Sequence, residues 1–197
     1  VKNTLNSSLL TVFLASTPAW ADPSIAIREQ KTWLVEGHIG ANGVGIGFGY
    51  FLPQDARLDI NFSQNDIVQL SDYNKVYKIE YQMFLANSFY TSLGLNHRVA
   101  HYSDRIYLSD FGFYDRDARA DVVATHAHFS IGNEWSFNSF FIGGEWFGLS
   151  TPLIWQYRTE YPHPAAQTDI DRWNKDVDRE SRRTILILPN LYLGFAF

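Results

Sequence analysis

Cysteine is absent from the 197 residues, and methionine occurs once. Without cysteine no disulfide framework can replace a packed interior, so small crosslinked secreted scaffolds are excluded. Long hydrophobic runs are missing too. No stretch approaches the roughly 18 apolar residues that a membrane-spanning helix needs, although aromatic residues make up 16% of the chain. Charge of one sign is scarce: 16 Lys and Arg oppose 21 Asp and Glu, for a formal net charge of −5. Nucleic-acid binding requires a basic excess, so no nucleic-acid partner is expected. The one glycine-rich stretch, Gly43 to Gly49, opens no helix and so is no phosphate-binding loop.

What is present begins with a leader pattern. Lys2 precedes the apolar stretch Leu9 to Ala15, and Ala19-Trp20-Ala21 supplies a small-x-small cleavage site. That is the anatomy of a secretory signal peptide, and cleavage is expected after Ala21. The mature chain is then exported.

Alternation with period two runs through most of the remainder. In Gly43-Val-Gly-Ile-Gly-Phe-Gly-Tyr50 every even residue is large and apolar and every odd one is glycine. A helix would scatter these groups around its axis, whereas a strand places Val44, Ile46, Phe48 and Tyr50 on one face. Leu58, Ile60 and Phe62 oppose Arg57, Asp59 and Asn61; Tyr77, Ile79 and Tyr81 oppose Lys78, Glu80 and Gln82. The pattern continues through Phe89 to Asn96 and Val123 to Trp135, is less clean from Phe140 to Trp155, and ends in Leu191, Leu193, Phe195 and Phe197. Asn42-Gly43 is a strong two-residue hairpin signal; Pro53 to Asp55, Ala86 to Ser88 and Ser136 to Ser139 read as short polar turns. Longer connections are expected at 65–73, 101–118 and 156–183. The count is eight strands, with short turns at one end and mostly long loops at the other.

Short turns, long loops, an even strand number, an export leader and a terminal aromatic strand resemble the small bacterial outer-membrane β-barrels. The resemblance implies an all-β fold, an eight-stranded antiparallel up-and-down transmembrane β-barrel. It divides the chain into a leader, 1–21, an N-terminal periplasmic segment, 22–32, and the barrel, 33–197. In that class an alternating last strand ending in an aromatic is read by the barrel-assembly machinery, which implies that Leu191, Leu193, Phe195 and Phe197 form the assembly signal. Implied partners are outer-membrane lipid and lipopolysaccharide, and a monomer is expected. Aromatics support the membrane orientation over a soluble lipocalin-like ligand-binding barrel. Trp33, Tyr50, Phe89, Trp135, Phe140 and Phe197 fall at the short-turn end, and Tyr73, Tyr77, Tyr102, Trp155 and Tyr157 at the loop end. Two girdles are what membrane–water interfaces recruit.

With the polar face inward, Arg57, Asp59, Lys78, Glu80, Arg98, His126, His128, Glu134 and Glu145 form a mixed-sign lumen network. Eight strands leave an interior that side chains fill, so a salt-bridged plug is expected instead of an ion path, with a structural, adhesive or small-solute role. His126 and His128 have metal-ligand spacing, but no third ligand is identifiable, so neither metal nor cofactor is expected. His101-Tyr-Ser103-Asp104 resembles the His-x-Ser-Asn stretch of outer-membrane lipid A deacylases, with Asp104 in place of the asparagine. That resemblance implies His101 as base and Ser103 as nucleophile, with Asp115 as the acid that would orient the histidine. An enzyme is not the expected reading. In the last long connection Thr168 is positioned to cap a short helix, and six acidic residues balance six basic ones.

Overall fold

The structure, a computed structural model, describes residues 28–40, 43–53, 55–65, 73–107, 115–161, 167–187 and 189–197. The expected leader, 1–21, the start of the 22–32 segment and Asn42 lie outside these residues. Seven strands succeed one another: β1 (Trp33–Gly40), β2 (Gly43–Leu52), β3 (Ala56–Asn65), β4 (Tyr73–Phe84), β5 (Phe89–Tyr107), β6 (Asp115–Phe137) and β7 (Phe140–Glu160). Helix α1 (Gln167–Ser181) and two shorter strands, β8 (Ile185–Ile187) and β9 (Asn190–Ala196), complete the order.

Each strand pairs antiparallel with the next through β7, and β9 pairs with both β7 and β1. That last pairing closes the sheet on itself, so the first and last strands satisfy each other's edges. β8 lies on the same side of β7 as β9, against Gly148–Ser150, so the two pieces form one wall position. The expected single last strand is thus broken, at Pro189, which has no N–H to give to a ladder. Ring closure is all-β, antiparallel and eight-stranded.

The alternation resolves in one sense only. Ile46, Ile60, Ile79, Leu93, Phe129 and Leu193 are exposed on the outside, while Arg57, Asp59, Glu80, His128 and Glu134 are buried inside. A lipocalin-like arrangement, apolar inside, is therefore not what forms. The glycines of β2 follow the polar face inward. A Cβ on Gly47 would lie 1.9 Å from Asn61 Oδ1, and one on Gly49 would lie 2.3 Å from Asp59 Oδ1. These positions are glycine because the facing polar side chains occupy the space.

The irregular alternation of β7 has a backbone cause. Ile131 pairs with Phe147 and Gly132 with Glu145, which leaves Trp146 as an extra residue. Thr125 pairs with Ile154 and His126 with Pro152, which leaves Leu153 extra. Each bulge turns two consecutive residues outward and reverses the inward–outward parity of the residues beyond it. Glu145 faces in and Phe147 out for this reason.

The wall is uneven in height. β5, β6 and β7 have 19, 23 and 21 residues, against 8 to 12 for β1 to β4. The expected connection 101–118 is accordingly mostly strand: β5 runs to Tyr107 and β6 starts at Asp115. The inner side of this tall wall is covered by α1. Val177 is buried and Trp173 packs beside it, against Ala100, Tyr102, Ala120 and Val122. Thr168 lies within α1, which begins at Gln167, instead of preceding it as a cap.

The close approach of β4 and β5 makes one glycine indispensable. A Cβ on Gly94 would lie 2.2 Å from the Ile79 carbonyl oxygen and 2.8 Å from Glu80 Cα, both backbone atoms that cannot step aside. Gly94→Val is expected to cost about 1–3 kcal/mol or more by overpacking. Gly37→Val, where the nearest atom to a new Cβ is 4.0 Å away, is expected to be near neutral. Urea unfolding of the two variants in detergent, followed by tryptophan fluorescence, checks the difference.

Candidate functional site

The interior is stacked in layers along the barrel axis. At the short-turn end three helical residues, 28–30, precede β1, and Arg28 is buried there. Its Nε lies 2.5 Å from Asp55 Oδ1, one terminal nitrogen donates to the Asn87 carbonyl at 3.1 Å, and the guanidinium stands 3.7 Å from the Phe84 ring centre. Asp55 adopts a left-handed backbone (φ 59°) that aspartate tolerates in turns. Next comes an apolar layer of Leu34, Phe51, Phe84, Tyr90, Phe141 and Tyr192.

Arg57 holds the adjacent layer together. Its Nε donates to Asp59 Oδ2 at 2.8 Å, one terminal nitrogen to Glu134 Oε2 at 2.6 Å, and the other to Gln82 Oε1 at 2.7 Å. Glu36 Oε2 stands 3.8 Å away. Asp59 shares the Arg57 face of β3 because the two are two residues apart, and Gln82 is the register partner of Arg57 on β4. Glu134 comes from β6, across the lumen, and also accepts from the Tyr192 hydroxyl at 3.2 Å. The three Phe rings of the apolar layer lie 5.8–5.9 Å from the guanidinium carbon.

A second ionic layer centres on Lys78. Its Nζ lies 2.7 Å from Glu80 Oε1 and 3.1 Å from Glu145 Oε1. Ser92 Oγ donates to Glu80 Oε2 at 2.8 Å, and Asn190 Nδ2 to Glu145 Oε2 at 3.3 Å. His128 enters the same layer, with Nε2 3.4 Å from Glu145 and 3.7 Å from Glu80 and with Nδ1 3.1 Å from Ser150 Oγ. A cavity of about 30 Å³, roughly the room of a single water, adjoins Lys78, Glu80 and Glu145.

The remaining residues expected in the lumen take different places. Arg98 sits nearer the loop end, donating to Asn74 Oδ1 at 3.1 Å and to the Tyr102 hydroxyl. His126 is buried but does not join His128 in one cluster; of the two imidazoles, His128 is the one that meets Glu80 and Glu145. Glu36, Gln82, Ser92 and Tyr192 also belong to the network, although sequence reasoning does not single them out. A signal exists, since Glu36 and Tyr192 occupy inward parity on β1 and β9. Tyr102 faces inward beneath α1, and Trp155 and Tyr157 pair with the inward Ala124 and Val122, so these three do not form an outer girdle. At the short-turn end Trp33, Tyr50 and Phe197 are exposed on the outside.

His101 and Ser103 lie on β5, not in a loop, and share a strand face. Asp115 is opposite Tyr107, six residues up the ladder from His101, about 20 Å at ~3.3 Å per residue. The acid beside His101 is its register partner Asp121, with Oδ1 2.6 Å from Nδ1. Leu191, Leu193 and Phe195 are exposed along β9, and Phe197 exchanges backbone hydrogen bonds with Trp33.

No protein-family model matches the chain, and no curated protein does. Among solved structures, the N-terminal β-barrel domain of Pseudomonas aeruginosa OprF is similar, with 17% identity and a TM-score of 0.51, over 84% of this chain and 96% of that one. Acinetobacter baumannii CarO2 (8% identity, TM-score 0.48, 85% and 100% covered) and CarO (9%, 0.47, 83% and 97%) also match. The OprF likeness is one of fold: this chain is a small eight-stranded antiparallel β-barrel.

Removing Arg57 alone would leave Asp59, Glu134 and Glu36 buried without their shared cation. Arg57→Leu is expected to cost about 3–5 kcal/mol, and the double variant Arg57→Leu, Glu134→Leu less than the single one. Urea unfolding of both in the same detergent measures the ordering; additive losses would show that the pair is not coupled.

Proposed function

We propose that the protein is an integral barrel of the bacterial outer membrane with a closed polar interior and a structural role in that membrane. One observation carries the reading: exposed large apolar side chains form a continuous belt around the outside of the ring, on every strand from β1 to β7 and on β9. A soluble monomer rarely exposes more than a few hundred Å² of contiguous apolar surface, whereas lipid is the natural solvent for such a belt. Along β4 and the residue that follows it the belt runs from Tyr77 to Leu85, about nine residues, in keeping with the roughly 9–11 of a tilted spanning strand. It gives way to polar groups where His101, Asp121 and Arg158 face outward on adjoining strands. Among the described residues no helix is long and apolar enough to cross a membrane, so any crossing is made by strands. The leader pattern at 1–21 supports export. The cross-lumen bonds of Arg57 to Glu134 and of Lys78 to Glu145 support closure of the interior.

A second reading has its own observation. The 2.6 Å contact of His101 with Asp121 orients the imidazole as a general base would require, with Ser103 two residues away on that face. A lipid-ester hydrolase at the outer edge of the belt fits this arrangement. Comparing lipid A acyl profiles from cells with wild-type and Ser103→Ala protein tests it: an unchanged profile removes it.

Ile60 and Leu93 are 58% and 61% exposed in the middle of the belt. Ile60→Arg or Leu93→Arg is expected to cost about 2–4 kcal/mol for folding into lipid vesicles. Folding that is indifferent to both substitutions would overturn the membrane reading. Planar-bilayer recordings of the wild type are expected to show no large, steady open channel, and one that persists would replace the closed interior with a pore.

A further inference from the structure

Charge inside the barrel does not balance. Among the described residues of the two ionic layers, Arg57 and Lys78 face Glu36, Asp59, Glu80, Glu134 and Glu145. The other cations nearby are engaged at the two ends, Arg28 with Asp55 and Arg98 with Asn74 and Tyr102. Buried carboxylates persist only where something positive or a donor meets them. The middle of the lumen therefore has capacity for further positive charge.

That capacity is concentrated in one place. A carboxylate oxygen of Glu80, one of Glu145 and a ring nitrogen of His128 all lie within 4.8 Å of one another. They come from β4, β7 and β6, and His128 is only 2% exposed. Ser150 Oγ, which also accepts from Asn96 Nδ2 at 2.8 Å, holds His128 Nδ1 at 3.1 Å. With Nδ1 as the donor, the Nε2 lone pair points at two carboxylates, and that atom is buried with no hydrogen-bond partner. A histidine fixed through one nitrogen with the other aimed at carboxylates is the arrangement by which proteins orient a metal-ligating imidazole.

Lys78 supplies the positive charge in this arrangement, and it has an alternative seat. The adjoining cavity is also lined by Glu36 and Asn61, and Glu36 Oε2 and Asn61 Oδ1 are buried without hydrogen-bond partners. An ammonium moved into that space would meet two acceptors that lack a donor. We propose that Glu80, His128 and Glu145 form a binding site for a divalent transition-metal ion of the zinc type, in competition with the Lys78 ammonium, which the metal displaces toward Glu36 and Asn61. One imidazole and two carboxylates suit such an ion, and the cavity has room for a water as fourth ligand. The bound metal would join three walls of the ring and reduce the surplus of negative charge. The site is built from lumen geometry and does not rest on the bilayer reading.

Zn²⁺ is the probe, added to the full chain refolded in detergent and stripped with a chelator, with folding of every variant checked by heat-modifiable gel migration. Calorimetry is expected to find one Zn²⁺ per chain. His128→Gln should weaken it by roughly tenfold or more, as loss of a metal-orienting group does, and Lys78→Met should tighten it by removing the competitor. His97 is exposed on the outer face of β5, and His97→Gln should leave binding unchanged. Co²⁺ in place of Zn²⁺ should give the intense visible band of a four-coordinate site in the wild type. Absence of stoichiometric binding to both wild type and Lys78→Met overturns the proposal, as does binding that survives His128→Gln and vanishes with His97→Gln. Should His128→Gln not fold, the wild-type Co²⁺ spectrum decides, and only the weak band of hydrated Co²⁺ would count against the site.

Discussion

An eight-stranded ring leaves an interior only as wide as the side chains that line it, and here those side chains are charged. Everything else in the barrel depends on making that interior tolerable. Arg57 meets the need by spanning walls: it bonds Asp59 on its own strand, Gln82 on the neighbouring one and Glu134 across the lumen. Lys78 does the same one layer up, between Glu80 and Glu145. Glycines at 47 and 49 give the polar groups of β1 and β3 the space to converge. Apolar and polar roles are thus exchanged relative to a soluble core, and ionic layers take the place of an oily centre.

Backbone irregularities serve the same requirement. The bulge at Trp146 puts Glu145 inside and Phe147 outside, so that one strand supplies a carboxylate to Lys78 and an aromatic to the belt. The break at Pro189 lets β9 close on β1 while β8 continues the wall above it. Beyond the ring, β5 to β7 rise as a three-stranded wall whose inner side would be open without α1. The helix covers it with Val177 and Trp173, and Asn174 accepts from the Thr159 and Tyr161 hydroxyls.

Much of this was legible in the order of residues. The Gly-x-Gly-x run of β2 and the alternation of β3, β4 and β5 named their inward and outward faces, and the lumen candidates on those strands are inside. What misled was the loop end. Tyr102, Trp155 and Tyr157 look like interface aromatics because they are large and near a connection, yet they keep inward parity, and Tyr102 packs beneath α1. Nothing local marks whether a tall wall will be covered by a helix. The orienting acid for His101 was expected downstream at Asp115, whereas antiparallel register places Asp121 beside it. Register is a relation between two strands, which the local sequence of either one does not reveal.

Period-two alternation is a local property, since successive side chains leave a strand on opposite faces whatever the rest of the chain does. The sequence by itself therefore determined that this chain makes strands and, on the regular ones, which residues share a face. It did not determine which carboxylate meets which cation. Arg57 and Glu134 are 77 residues apart, and Lys78 and Glu145 are 67 apart. Those meetings depend on ring closure, on two bulges that reset parity in β7, and on a lumen narrow enough for opposite walls to touch. Only the closed barrel has that geometry, so the pairing, the cluster of Glu80, His128 and Glu145, and the covering of the wall by α1 were decided by tertiary structure alone.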